Sequence, residues 1–193
     1  AMIDWGDGSS SAGTVTAVTA PGTPSGTFNV SGSHAFADEG GPLPPAPRQD
    51  LAQRLVRAVG LLHRRQIYHR DIKPENLHQG DDGELRLLDF GLAYCPGLSE
   101  DQANVLPGTP SYIAPEAFGG NAPTAQQDLY AVGVTLYFLL TGHYPYGEIE
   151  AFQRPRFGVP VGASRYRPDL PEWLGQSLER AVAADPGQRF ETA

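Results

Sequence analysis

The chain of 193 residues is long enough for one ordinary domain or two small ones, and 40% hydrophobic against 19% charged residues excludes disorder driven by composition. A formal net charge of -8, with no cluster of arginines, removes nucleic-acid backbones and anionic lipid from the expected partners. Cys95 is the single cysteine, so no intrachain disulfide or cysteine zinc site forms, and the most apolar stretch, Leu129 to Leu140, is too short to span a bilayer of about 30 Å; no membrane partner and a cytoplasmic location are expected.

Residues 1–47 contain no lysine or arginine and are crowded with Gly, Ser and Thr. Within them Thr14 to Thr19 and Thr27 to Val30 alternate polar with apolar or small residues, bounded by Asp7-Gly8 and Ser31-Gly32, which predicts short strands. The run Ile3-Asp4-Trp5-Gly6-Asp7-Gly8, with Ser33-His34-Ala35-Phe36 further on, resembles part of the PKD-like or immunoglobulin-like repeats of bacterial surface proteins. On that resemblance residues 1–41 are a partial β-rich segment lacking a strand after Ala37-Asp38-Glu39-Gly40, with an unpaired edge. Residues 42–48 are rich in proline and predict an extended linker, so the composition breaks near Arg48.

Beyond it Leu51, Leu55, Val59 and Leu62 share one helical face, with Asp50 placed to cap the start. Glu84 to Leu88 alternates after Gly80-Asp81-Asp82-Gly83, predicting a hairpin of two short strands. Asp128 to Thr141 is apolar on nearly every face, as a helix in the domain centre is. Trp173, Leu174, Leu178, Ala181 and Val182 predict a further amphipathic helix. The fold class expected is α+β, mainly helical over 49–193 with one small hairpin.

Three motifs follow one another in residues 49–193: His69-Arg70-Asp71-Ile72-Lys73-Pro74-Glu75-Asn76, then Asp89-Phe90-Gly91, then Ala114-Pro115-Glu116. In this order and spacing the segment resembles the C-terminal lobe of bacterial Ser/Thr protein kinases. The resemblance implies ATP and Mg²⁺ as cofactors and a protein Ser/Thr hydroxyl as substrate. It implies that Asp71 orients the substrate hydroxyl, Lys73 contacts the transferring phosphate, and Asn76 and Asp89 hold Mg²⁺. Thr109, in Gly108-Thr109-Pro110, would hydrogen-bond toward Asp71 and Lys73. His69 would pack under Phe90 and Gly91, Glu116 would pair with Arg189, and Asp128 would hold the backbone of the catalytic loop. Arg70 commonly pairs with a phosphorylated loop in this family; here Ser99 is the one hydroxyl besides Tyr94 between Asp89 and Gly108, and Glu100 and Asp101 offer a standing charge instead.

The sequence departs from the family in the nucleotide-binding half. Lys73 is the only lysine, so none is left to anchor the α- and β-phosphates, and Gly6-Asp7-Gly8 is followed by Ser11 where a third glycine belongs. His78 stands where the family places an aliphatic floor for adenine. The expectation is a kinase lobe without its N-terminal lobe and with its last helix cut short, weakly active or inactive by itself, with exposed apolar surface available for association. The alternatives are a non-catalytic, pseudokinase-like binding module, or a chimera of two fragments joined at the linker.

Overall fold

The computed structural model describes residues 2–4, 10–12, 14–17, 28–31, 45–80, 84–97, 108–150 and 155–193. Two antiparallel strand pairs come first: β1 (Met2–Asp4) with β2 (Ser10–Ala12), and β3 (Thr14–Ala17) with β4 (Phe28–Ser31). The second pair joins the two alternating segments, in a register running from Thr14 opposite Ser31 to Ala17 opposite Phe28. The Asp7-Gly8 turn, Ser33 to Phe36 and the stretch from Ala37 to Gly40 lie outside the described residues.

Helix α1 (Pro45–His63) starts inside the proline-rich stretch rather than after it. The extended linker expected over 42–48 is therefore helical from Pro45 onward. Proline suits the first turn of a helix because its φ is already helical and the N–H it lacks would be unpaired there anyway. Asp50 consequently lies in the second turn, not at the N-cap, and holds Arg54 Nε at 2.8 Å one turn further on.

Leu51, Leu55 and Val59 form the buried face of α1 and pack against Ile72, Leu77 and Leu85. The central element is α2 (Ala125–Thr141), which supplies Ala131, Val132 and Leu139 to that cluster. Its Tyr130 and Val134 enter a second cluster with Tyr112 and Val182, and its Tyr137 and Leu140 a third with Ala163 and Leu178. A helix that must bury every face has to be apolar all round, as this one is. Gly142, at φ 72, ends it by returning its N–H to Phe138 O at 2.7 Å.

Helix α3 (Glu172–Ala181) crosses α2 at Gly133, where a Cβ would stand 2.8 Å from the Ala181 Cβ. Gly133→Ala is expected to wedge the two helices apart and cost about 1–3 kcal/mol in urea unfolding. Unchanged stability would mean that the helices separate freely. Trp173 stays 56% exposed and, with Leu174, Leu136 and Leu140, lines an apolar groove of about 220 Å³ between α1, α2 and α3.

Strands β5 (Leu77–Gln79) and β6 (Leu85–Leu87) form the small hairpin, tied where the two strands connect by Gly80 N donating to Glu84 O at 3.0 Å. No helix among the described residues is long and apolar enough to cross a membrane.

Candidate functional site

Between α1 and β5 the chain runs through a loop, His69 to Asn76, gripped from beneath by α2. Asp128, in the first turn of α2 and 1% exposed, accepts hydrogen bonds from His69 N at 2.8 Å and Arg70 N at 2.9 Å. Arg70 sits at φ 68, a left-handed conformation that costs a residue with a side chain about 1–3 kcal/mol. A buried carboxylate bonded to its N–H is one contact that makes this turn tenable.

His69 is fully buried, with Nδ1 3.4 Å from Asp71 N and Nε2 3.0 Å from Leu88 O. Since the amide needs an acceptor and the carbonyl a donor, Nε2 carries the proton. The same imidazole meets Phe90 edge-on, with ring centroids 4.8 Å apart, although Phe90 remains 47% exposed.

Asp71 is turned into the centre of a polar cluster and is 6% exposed. Lys73 Nζ lies 3.0 Å from Asp71 Oδ2 and donates to Thr109 Oγ1 at 2.8 Å. Asn76 ends a single 3-10 turn (Pro74–Asn76), which swings its Nδ2 back to Asp71 O at 2.7 Å and to Asp71 Oδ2 at 3.1 Å. Thr109 closes the far side, donating from N at 3.2 Å and from Oγ1 at 3.4 Å to Asp71 Oδ1. The approach depends on Gly108, at φ 93, because a Cβ there would stand 2.8 Å from Arg70 O and 3.3 Å from Asp71 Oδ1.

Asp89 follows β6 at φ 59 and is exposed, its Oδ1 accepting from Gly91 N at 3.1 Å. Leu88 N donates to Asn76 O at 2.8 Å, so a backbone bond carries Asp89 to the neighbourhood of Asn76. The cluster thus combines the Asp71 carboxylate with the Lys73 ammonium, the Asn76 amide and Thr109, while Asp89 is carried toward Asn76 by the backbone bond of its neighbour Leu88.

Comparison with known proteins decides the family, since the model of the protein kinase domain matches residues 29–177. The chain belongs to the protein kinase family. It is 34% identical over 158 residues to the serine/threonine-protein kinase PrkC of Bacillus subtilis, covering 79% of this chain and 24% of that protein. It is 36% identical over 157 residues to PknK of Mycobacterium tuberculosis, covering 79% of this chain and 14% of the relative. It is 34% identical over 160 residues to PknL of the same organism, covering 80% and 40%. The chain therefore spans well under half the length of these curated relatives.

In this kinase chain the segment from Thr109 to Glu116 is anchored along its length. Ser111 Oγ accepts from Ile149 N at 2.9 Å, and Arg189 holds both oxygens of Glu116 at 2.8 Å. Tyr68 and Tyr94 exchange backbone bonds of 2.9 and 2.8 Å, tying the chain after Gly91 to the loop. Sequence reasoning missed Tyr68, Tyr94 and Ser111, because backbone exchange and a single hydroxyl leave no signature in spacing. It also missed His63, whose Nε2 lies 3.0 Å from Asp128 Oδ2.

Burial pulls the Arg70 guanidinium below its usual value, and the nearby Asp128 carboxylate opposes that shift. Ser99, Glu100 and Asp101, the candidate partners of Arg70, lie outside the described residues. His78 is partly exposed in β5, opposite Arg86.

Proposed function

We propose that the chain carries the acceptor side of a serine/threonine protein kinase, which transfers the γ-phosphoryl group of ATP to a protein hydroxyl. The observation that carries this reading is the convergence of Lys73 Nζ, Asn76 Nδ2 and Thr109 N on the Asp71 carboxylate at 3.0, 3.1 and 3.2 Å. Phosphoryl transfer asks little covalent help of a protein; it asks for a hydroxyl held in line and for donors aimed at developing charge. Asp71 supplies the acceptor for the hydroxyl proton. Its longest contact, Thr109 Oγ1 at 3.4 Å, is the one that an incoming serine or threonine hydroxyl replaces. Lys73, 21% exposed, keeps its ammonium beside Asp71 and is free to follow charge onto the phosphate.

Asn76 and Asp89 fit a magnesium ion as hard oxygen donors. Asn76 Nδ2 is committed to Asp71, which leaves its carbonyl oxygen over, and Asp89 Oδ1 is committed to Gly91 N, which leaves Oδ2. Two protein oxygens suffice for a cation that keeps several waters and takes substrate phosphates as ligands. When bound, it supplies positive charge to the phosphate oxygens.

The nucleotide side is the weak half. Lys73 is the only lysine in the chain and is already engaged with Asp71 and Thr109, so phosphate anchoring by lysine is lacking. Turnover by this chain alone is expected far below the about 1–100 per second of a complete kinase. A second reading, a binding module without catalysis, is favoured by Leu88 and Phe90, 43% and 47% exposed on either side of Asp89. The kinase reading also places the chain in the cytoplasm, takes residues 49–193 as the kinase part and leaves 1–41 as a separate β-rich piece.

Two measurements separate the readings. Slow phosphate transfer from labelled ATP, reduced at least about a hundredfold by Asp71→Asn, supports the kinase. A thermal shift with Mg-ATP supports it too, since a ligand at 100 times its Kd adds about 2.7 kcal/mol to the folded state. Neither transfer nor a shift at millimolar nucleotide would leave the binding module.

A further inference from the structure

Between Arg48 and Arg65 the chain carries five arginines and a single acid, Asp50, whereas the whole chain has a net charge of -8. Helical spacing turns part of that surplus to one side of α1. Arg54, Arg57, Leu61 and Arg65, the last just past the end of the helix, follow one another at intervals of three and four residues, away from the buried Leu51, Leu55 and Val59.

That side borders a recess of about 460 Å³, lined by Arg54, Arg57 and Leu61 of α1 and, across from them, by Glu84 and Leu85 of the hairpin. Asp50 answers Arg54 at Nε, 2.8 Å away. Arg57 is exposed, and its guanidinium has no partner among the described residues. Arg65 folds back, its Nη1 donating to Leu61 O at 3.3 Å, which holds its charge beside the last turn of α1. Between these two cations, one turn after the first and one turn before the second, Leu61 is 44% exposed. An exposed leucine alone means little. Bracketed by two cations at the rim of a recess, it gives the surface a defined pattern of charge, apolar contact and charge.

From this pattern we infer that the outer face of α1 is a docking site for an acidic segment of a partner protein. The segment lies extended, with an apolar side chain on Leu61 and carboxylates on Arg57 and Arg65. Eight residues of helix span about 12 Å, the reach of about four extended residues, and alternate residues of an extended strand share a face. Acids four residues apart with an apolar residue midway therefore meet all three side chains at once. Nucleic acid fits this face less well, because a continuous row of phosphates has to pass Asp50 and Glu84 and offers Leu61 nothing apolar. Two carboxylates placed on Arg57 and Arg65 avoid those acids. None of these residues touches Asp71 or its donors, so the site stands whether or not the chain transfers phosphate.

The test titrates the full chain, followed by amide NMR at low salt, with an end-capped peptide reading glutamate, threonine, leucine, threonine, glutamate. Shifts are expected from Arg54 to Arg65 and at Glu84 and Leu85, and not along α3. Arg57→Glu is expected to weaken binding about tenfold or more, because it sets like charges against each other. Leu61→Ser is expected to weaken it as well, and added salt to weaken it further, since the charges are exposed. A readout that needs no variant to fold comes from the same peptide with glutamine in place of glutamate, which is expected to bind the unaltered chain at least about tenfold more weakly. No shift at millimolar peptide, shifts centred on another face, or equal binding of the glutamine peptide or by Arg57→Glu overturns the proposal. A single-stranded oligonucleotide that binds the same face as tightly as the peptide would mean a general polyanion surface, and overturns it too.

Discussion

Arg189→Met is expected to destabilise the protein by about 3–5 kcal/mol, the largest loss of any single substitution considered, because it strips the partner from a nearly buried carboxylate. The Arg189 side chain is 0% exposed and Glu116 is 12% exposed. The guanidinium holds both Glu116 oxygens at 2.8 Å and also donates to the carbonyls of Ala183 at 2.7 Å, Gln126 at 2.9 Å and Ala184 at 3.1 Å. It lies over the Tyr130 ring, 4.9 Å from the centroid. Methionine fills some of the volume and meets none of those acceptors. Lysine in its place would carry the charge but not the planar fork, so Arg189→Lys is also expected to lose most of the effect. Urea unfolding checks both: a cost under about 1 kcal/mol for Arg189→Met would mean that water reaches Glu116 and replaces the pair. Because Glu116 ends the segment that begins at Thr109, the loss should be felt at Asp71 as well as in stability.

Asp128→Ala is expected to rank second. Its carboxylate meets donors from three residues, His63, His69 and Arg70, and its removal leaves one buried and one partly buried amide without acceptors. An unmet buried donor costs about 1–3 kcal/mol, and since His69 N is buried while Arg70 N is only partly so, a total of about 2–4 kcal/mol follows. Asp128→Asn should recover little, since one of its two terminal atoms becomes a donor pointed at other donors. The discriminating measurement is calorimetric unfolding of both variants. Near-native stability in Asp128→Asn would mean that the loop is held by something other than this carboxylate.

Both residues are placed through the family resemblance. Asp128 heads the apolar stretch that runs to Thr141, but the resemblance alone gave it the loop backbone to hold. Arg189 is placed only through the family resemblance, because nothing in its neighbourhood distinguishes it from the other arginines. Nothing in the sequence marks His63. Its partner lies 65 residues away, and an imidazole near the end of a helix is ordinarily a surface feature. Helix α1 begins earlier than its pattern predicts because proline, which stops a helix from within, acts in a first turn as a beginning. Trp173 belongs to the amphipathic pattern of α3 and yet remains half exposed, since periodicity states which residues share a face and not what covers that face.

By itself the sequence determined the kinase family, the order of the motifs, the apolar helix at the centre and the short hairpin, because all of these depend on residues close together or on repeating patterns. Tertiary structure alone decided that Asn76 Nδ2 turns back to the Asp71 carboxylate, how Gly108 lets Thr109 N reach it, and that α1 ends on the carboxylate that holds the loop. The last two contacts join residues 38 and 65 positions apart at hydrogen-bond distance. Local propensity carries no information at that range, and only the packing of α1 and the loop onto α2 sets it.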